Sequence, residues 1–123
     1  MGATIVVLDA DECQRHNLCQ LLREHHCPSE SLKTLDDLNR RIAENDVLAV
    51  IIDIDTVSVD NRTIRDLTLR NPTIYFFCLS ERRFHPELED AICYHIYACI
   101  NKPIDPDELF FWIDSLRKEG KNK

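Results

Sequence analysis

The chain has 123 residues, of which 44% are hydrophobic, and this is the size of one domain with a single core. Its formal net charge of −7 argues against nucleic-acid binding, because neutralising phosphates requires a basic surface. No apolar run approaches the roughly 20 residues that span a bilayer, and the N-terminus lacks the layout of a secretion signal. We therefore expect a single cytoplasmic domain over residues 1–123, with 118–123 as a solvated tail or the start of a linker.

The six cysteines contain no C-x-x-C pair, and Cys78 falls inside a predicted core strand. Reduced thiols in a cytosolic protein are the simplest interpretation of this pattern. A zinc site at His25, His26 and Cys27 is the alternative, but the sequence offers no clear fourth ligand.

Strand-like and helix-like segments alternate along the chain, with no linker rich in glycine, proline or serine between them. Short apolar runs predict the strands, and apolar residues at helical spacing predict the helices. The first half is predicted as a strand at 4–8, a helix at 12–25, a short strand near 29–33, a helix from Thr34 through Ile42 and a strand at 48–53. In the second half, the first predicted helix is capped by Asn61, carries Ile64, Leu67 and Leu69, and ends at Asn71-Pro72. It is followed by a strand at 74–79, a helix from His85-Pro86 to about Cys93, a strand at 96–101 and a helix from Asp105 to about Glu119.

This alternation is a (βα)5 pattern, which predicts an α/β fold with a parallel sheet covered on both faces by helices. For a chain of this length, the doubly wound strand order 2-1-3-4-5 is expected.

Polar side chains follow four of the predicted strands. Asp9 follows the first strand, Asp53 ends the third, Ser80 follows the fourth and Lys102 follows the fifth. Because the carboxyl ends of parallel strands meet at one edge of the sheet, where ligands bind in open α/β folds, we expect these residues to form one site. The alternative for each residue alone is a structural role, such as a helix cap, a turn or a solvated lysine.

The residues in this order resemble the receiver domain of bacterial two-component response regulators, over essentially the whole chain. The resemblance implies that a histidine kinase or phosphotransfer protein phosphorylates Asp53, whose carboxylate attacks phosphorus. It implies a Mg²⁺ ion held by Asp9, Asp53 and the main-chain carbonyl of Asp55, with Lys102 and Ser80 binding the phosphoryl oxygens. Such a domain assists its own phosphorylation and dephosphorylation, and it is a signalling module rather than an enzyme.

Two positions depart from the pattern of that family. Ala10 stands where a second acid usually binds the metal, and Asp11, one residue later, is either a substitute ligand or a helix cap. We therefore expect weakened Mg²⁺ binding. Cys99 stands where the family often has a switching aromatic residue, and the nearest aromatic residue, Tyr97, is two positions earlier.

These departures leave a second interpretation open, namely a degenerate receiver that acts as a docking module without phosphorylation. A third interpretation is a haloacid-dehalogenase-type phosphatase, because residues 53–57 fit the D-x-D-x-[TV] nucleophile motif. However, that family needs further metal-binding acids after the lysine, and only one helix follows Lys102. A flavodoxin-like cofactor site is disfavoured, because the chain has only two glycines and no phosphate-binding loop after the first strand.

Aromatic residues near the C-terminus predict a partner surface. Leu109, Ile113 and Leu116 form the core stripe of the last helix, which places Phe111 on the opposite side and Trp112 on the flank. Exposed large aromatic residues often mark contact sites. We expect helix 4, strand 5 and helix 5 to contact a second copy or an output domain through Tyr94, Tyr97, Phe111 and Trp112.

Overall fold

The computed structural model describes residues 4–82 and 86–119, which form alternating strands and helices. The strands are β1 (Thr4–Leu8), β2 (Ser29–Leu32), β3 (Val47–Asp53), β4 (Tyr75–Ser80) and β5 (Ala98–Asn101). The helices are α1 (Glu12–Glu24), α2 (Leu35–Ile42), α3 (Asn61–Arg70), α4 (Glu89–Tyr94) and α5 (Pro106–Glu119), and a 3₁₀ turn at Pro86–Leu88 precedes α4. The predicted helix start at His85 and residues 120–123 of the predicted tail lie outside the described residues.

The five strands form one parallel sheet in the order β2-β1-β3-β4-β5, which confirms the predicted doubly wound α/β fold. Both faces of the sheet are buried, because successive side chains on a strand point to opposite sides. On β1, Ile5 and Val7 belong to one core cluster, and Val6 and Leu8 belong to the other. The first cluster packs against α1 and α5 through Leu18, Leu22, Leu109, Ile113 and Leu116, and the second packs against α2 and α3 through Leu38, Ile64 and Leu67.

The start of α3 corrects one sequence prediction. Asp60, rather than Asn61, is the N-cap, because its backbone is extended and its carboxylate accepts a hydrogen bond from the Thr63 amide at 2.8 Å. Asn61 is already the first helical residue. Leu69, which was predicted on this helix with Ile64, is 65% exposed, because five residues further along the helix it points towards solvent.

The cysteines with described side chains form no disulfide; they are Cys13, Cys19, Cys27, Cys78 and Cys99. His25 stacks on Phe110 with the ring centroids 3.7 Å apart, and its Nε2 lies 3.4 Å from Asp114 Oδ1. Within residues 4–82 and 86–119, no helix is both long and apolar enough to cross a membrane.

Candidate functional site

The sheet brings two predicted acids together. Asp9 directly follows β1 and Asp53 ends β3, and the pairing of Leu8 with Ile52 places them side by side at the carboxyl edge. Both side chains are buried, with Asp9 0% and Asp53 1% exposed. Buried carboxylates need donors around them, so their hydrogen-bond partners define the site.

Asp53 lies at the centre of this site. Its Oδ1 accepts a hydrogen bond from the Asp55 amide at 2.9 Å, and its Oδ2 accepts one from Lys102 Nζ at 2.8 Å. The Gln14 Nε2 also donates to Oδ2. The predicted nucleophile and the predicted lysine are therefore in direct contact.

The Asp9 carboxylate accepts hydrogen bonds from neutral donors, whereas the buried Arg15 guanidinium donates to the main-chain carbonyl of the same residue at 3.0 Å. Its Oδ1 accepts hydrogen bonds from the Asp11 amide at 2.8 Å and from Thr56 Oγ1 at 3.0 Å, and its Oδ2 accepts one from Gln14 Nε2. Burial raises the pKa of Asp9 above its ordinary value, and the neighbouring Asp53 carboxylate adds to the increase, although the hydrogen bonds from Gln14 and Asp11 oppose it. Among the described residues, the Asp9 carboxylate thus has no cationic hydrogen-bond partner.

The Asp55 side chain, by contrast, has cationic and polar partners. Ser80 Oγ donates to Asp55 Oδ1 at 2.8 Å, and the Glu81 amide donates to Oδ2 at 2.8 Å. Lys102 Nζ lies 3.1 Å from the same Oδ2. Burial alone would raise the pKa of Asp55, but the hydrogen bonds from Glu81, Ser80 and Lys102 outweigh it and lower the pKa.

Lys102 connects the two carboxylates that it contacts. It directly follows β5, and its main-chain amide donates to the Ser80 carbonyl at 2.9 Å. Burial by itself would lower the pKa of Lys102, but the pairs with Asp53 and Asp55 raise it above its ordinary value. The lysine is therefore held as a cation at the Asp53 carboxylate.

Ser80 lies at the end of β4, as predicted, and its hydroxyl group points towards Asp55. Besides donating to Asp55, Ser80 Oγ accepts a hydrogen bond from the Arg82 amide at 3.0 Å.

Ala10 stands where a second acid was expected, and its main-chain and side-chain surroundings are as follows. The Ala10 side chain is exposed, and its amide donates to Thr56 Oγ1 at 3.0 Å. The Asp11 carboxylate accepts a hydrogen bond from the Gln14 amide at 3.0 Å and so caps α1, which is the second of the two roles that the sequence left open.

The predicted aromatic surface is partly continuous. Tyr97 packs edge-on against Tyr75, Phe77 and Trp112, with ring centroids 5.1, 5.6 and 5.7 Å apart. Phe111 packs against Trp112 at 5.3 Å and is 64% exposed.

Two other positions singled out in the sequence, Tyr94 and Cys99, lie on α4 and β5. Tyr94 is 78% exposed on α4. Cys99, which stands in place of the expected switching aromatic residue, pairs in register with Cys78 on β4.

Sequence reasoning missed three contributors to the site: Gln14, Thr56 and the Asp55 side chain. Gln14 lies one turn before Leu18 on α1, a spacing that puts both residues on the same face of the helix. That spacing was the available signal, because Leu18 was already predicted to be buried. Asp55 was predicted to contribute only its main-chain carbonyl, because no local sequence pattern shows in which direction the side chain of a loop residue points.

No protein-family model matches the chain, and no curated protein sequence matches it. Solved structures do match. The signal receiver domain of an HD domain-containing protein from Pseudomonas fluorescens Pf-5 is 18% identical with a TM-score of 0.83, over 97% of this chain and 89% of that one. A CheY-like response regulator receiver domain protein from Methanospirillum hungatei JF-1 is 18% identical with a TM-score of 0.83, over 98% of this chain and 100% of that one.

The NtrC4 receiver domain, solved as a beryllofluoride-activated dimer, is 19% identical with a TM-score of 0.83, over 95% of this chain and 98% of that one. At such low identities the likeness establishes the fold rather than the chemistry. The chain has the fold of a response regulator receiver domain.

Proposed function

We propose that the chain is a phosphoacceptor receiver domain in which Asp53 takes a phosphoryl group from a histidine kinase or phosphotransfer protein. The observation that carries this proposal is the contact between the buried Asp53 carboxylate and Lys102 Nζ at 2.8 Å. An anionic nucleophile with a fixed cation beside it is what phosphoryl transfer requires, because catalysis depends mainly on positioning and charge stabilisation.

The transfer forms a bond between an Asp53 oxygen and phosphorus, and it breaks the bond between phosphorus and the donor nitrogen or oxygen. Lys102 stabilises the negative charge on a phosphoryl oxygen from the position that it already holds. Ser80 donates to another phosphoryl oxygen once its hydroxyl group leaves Asp55. The product is an aspartyl phosphate. Because Ser80 ends β4, its change of hydrogen-bond acceptor would alter the end of that strand.

The residues present fit a divalent cation. The carboxylates of Asp9 and Asp53 both point at one position, where a single nitrogen of Gln14 contacts them both. In residues 4–82 and 86–119, no group of three or more His, Cys, Asp or Glu side chains is placed to hold a metal ion. Mg²⁺ would therefore depend on these two carboxylates, the main-chain carbonyl of Asp55 and water, with an affinity on the order of millimolar.

When bound, Mg²⁺ neutralises charge on the phosphoryl oxygens. The charge balance of the site supports it: Asp9, Asp53 and Asp55 contribute three negative charges, and Lys102 contributes one positive charge. Even when the Arg15 guanidinium at the Asp9 main-chain carbonyl is counted, the carboxylates outnumber the cations, and a divalent cation would offset this excess.

The test is phosphorylation of the purified domain by acetyl phosphate with and without Mg²⁺, followed by intact-protein mass spectrometry. The wild-type domain should gain one phosphoryl group only when Mg²⁺ is present, and Asp53→Asn should gain none. Asp60→Asn is the matched control, because asparagine caps a helix as well as aspartate does and Asp60 caps α3. Labelling of Asp53→Asn at the wild-type level would show that the site assignment is wrong.

A docking module that works without phosphorylation is the second candidate, and the side chain of Gln14 between the two acids favours it. It predicts no labelling of Asp53 at any Mg²⁺ concentration in the same experiment. The phosphatase alternative is disfavoured, because its second aspartate must be a general acid and the pKa of Asp55 is lowered.

We further propose that Tyr97, Trp112 and Phe111 form a surface for a second copy or an output domain. Phe111→Glu should abolish self-association or partner binding in sedimentation velocity, because a charge cannot be buried in an apolar contact at low cost. Leu69→Glu is the matched control, since Leu69 is an equally exposed apolar residue on α3. Unchanged sedimentation and partner binding of Phe111→Glu would remove this surface from consideration.

A further inference from the structure

The Gln14 side chain occupies the position at which the two buried acids converge. Its Nε2 donates to Asp9 Oδ2 and to Asp53 Oδ2, so one primary amide satisfies a carboxylate on each of two strands. The Asp11 cap fixes the start of α1 and places Gln14 in its first turn, above the ends of β1 and β3.

We propose that Gln14 is an internal competitor for the cation: its carboxamide closes the metal position, and a divalent ion must displace it to bind. This inference rests on the proposed function, because it concerns the same cation. Mg²⁺ binds oxygen ligands at about 2.0–2.1 Å. An ion held by Asp9 Oδ2 and Asp53 Oδ2 would therefore overlap the amide nitrogen that now contacts both oxygens.

The amide satisfies the hydrogen-bonding needs of the two acids without changing their charge. A neutral amide leaves the charge of both carboxylates unchanged, and among the described residues the only cation paired with either carboxylate is Lys102 at Asp53. The site therefore still attracts a dication, and Gln14 lowers its affinity rather than abolishing binding.

The displaced side chain has a place to go. A groove of about 380 Å³ opens beside Gln14, between α1 and the segment that follows β5. Its walls include Asn17, whose side-chain amide is a possible new partner for the carboxamide. The movement needs only side-chain rotation, since Gln14 itself is half-buried.

The opposite role for Gln14 would be that of a ligand that replaces the acid missing at Ala10, through its Oε1. The two roles predict opposite effects of truncation. Removal of a competitor tightens cation binding, whereas removal of a ligand weakens it.

The experiment is calorimetric titration of the metal-free domain with MgCl₂, for wild type, Gln14→Ala and Gln14→Met. Both variants should bind Mg²⁺ about five- to ten-fold more tightly than wild type, because each lacks the two hydrogen bonds that the ion must break. Gln20→Ala is the matched control, since Gln20 is an exposed glutamine on the same helix whose amide donates to the exposed Glu24. It should bind Mg²⁺ as wild type does.

Weaker or unchanged binding by Gln14→Ala would overturn the proposal, and so would a lack of binding by all four proteins. The result is separable from phosphorylation. Tighter Mg²⁺ binding without labelling of Asp53 would contradict the phosphoacceptor function and leave the role of Gln14 intact. Labelling of Asp53, combined with a Mg²⁺ affinity that does not depend on Gln14, would support the phosphoacceptor function and contradict the role of Gln14.

Discussion

Asp9 and Asp55 flank the same Asp53 carboxylate, yet their surroundings are opposite. Asp55 is bound by an ammonium group, a hydroxyl group and a main-chain amide, and its pKa is lowered. Asp9 is more deeply buried and its carboxylate has only neutral hydrogen-bond donors, so burial raises its pKa; the Arg15 guanidinium binds its main-chain carbonyl instead. The comparison shows that the carboxylate of Asp55 on the β4–β5 side has a cationic partner, whereas the carboxylate of Asp9 on the β1 side has none and is where a cation would contribute most.

The same comparison bears on the alanine at position 10, where a second acid was expected. A second acid after β1 would add a negative charge to the side that already lacks compensation. In this chain the third carboxylate comes instead from Asp55, next to Lys102.

The largest effect is expected from removing the cation of the β4–β5 side. Lys102→Ala should keep the fold, because Lys102 packs in neither core cluster, and should slow acetyl-phosphate labelling of Asp53 by about 100-fold or more. Circular dichroism and time-resolved mass spectrometry measure the two properties. Lys33→Ala is the control, because Lys33 is an exposed lysine after β2. A labelling rate for Lys102→Ala equal to that of wild type would mean that this side does not stabilise the transferred group.

The next effect concerns the β1 side. Ala10→Asp should tighten Mg²⁺ binding about ten-fold, because it restores a carboxylate ligand, and should speed labelling in proportion. In the metal-free state the same change should slightly destabilise the domain, because a further carboxylate would crowd Asp9 and Asp53. Calorimetry and urea unfolding in EDTA measure these effects. An unchanged Mg²⁺ affinity would contradict the proposed cation site, because Asp11 is already engaged as the cap of α1.

The fold was accessible from sequence because several independent signals agreed. The apolar run before Asp53 predicted a strand buried on both faces, and β3 is such a strand. The caps at Thr34 and Asp105 were correct, whereas the cap of α3 was misplaced by one residue, because Asp60 and Asn61 are both good caps and only the backbone geometry distinguishes them.

The site was accessible only in part. Residues at strand ends could be placed together, because a parallel sheet fixes where those ends lie, and Asp9 and Asp53 are neighbours as expected. Gln14 and the Asp55 side chain could not be placed, since each depends on a rotamer chosen by partners from distant parts of the chain. A pattern read along the chain contains the spacing of Gln14 but not the direction in which its amide points.

The smallest effect, and the most direct test of the comparison, is the pH dependence of stability in a matched pair of variants. The folded-state pKa of Asp55 lies below its ordinary value of 3.8, so its ionised form stabilises the domain above that pH. That contribution is lost as the pH falls through the folded-state pKa. Asp55→Asn should therefore destabilise the domain by about 1 kcal/mol at pH 7, and by less at about pH 3, since charged hydrogen bonds at a partly exposed site are modest.

For Asp9 the sign is reversed. Its folded-state pKa lies above 3.8, so its contribution to stability is present below that pH and is lost as the pH rises through the folded-state pKa. Asp9→Asn should therefore stabilise the metal-free domain at pH 7, and this gain should shrink on acidification. Urea unfolding of both variants and the wild type in EDTA, at neutral pH and at about pH 3, measures the four differences. If both variants shift stability in the same direction at pH 7, the two sides of the site do not differ in how they compensate their charges. Opposite shifts that converge towards zero in acid would locate the uncompensated charge at Asp9, the side on which a cation is expected to bind.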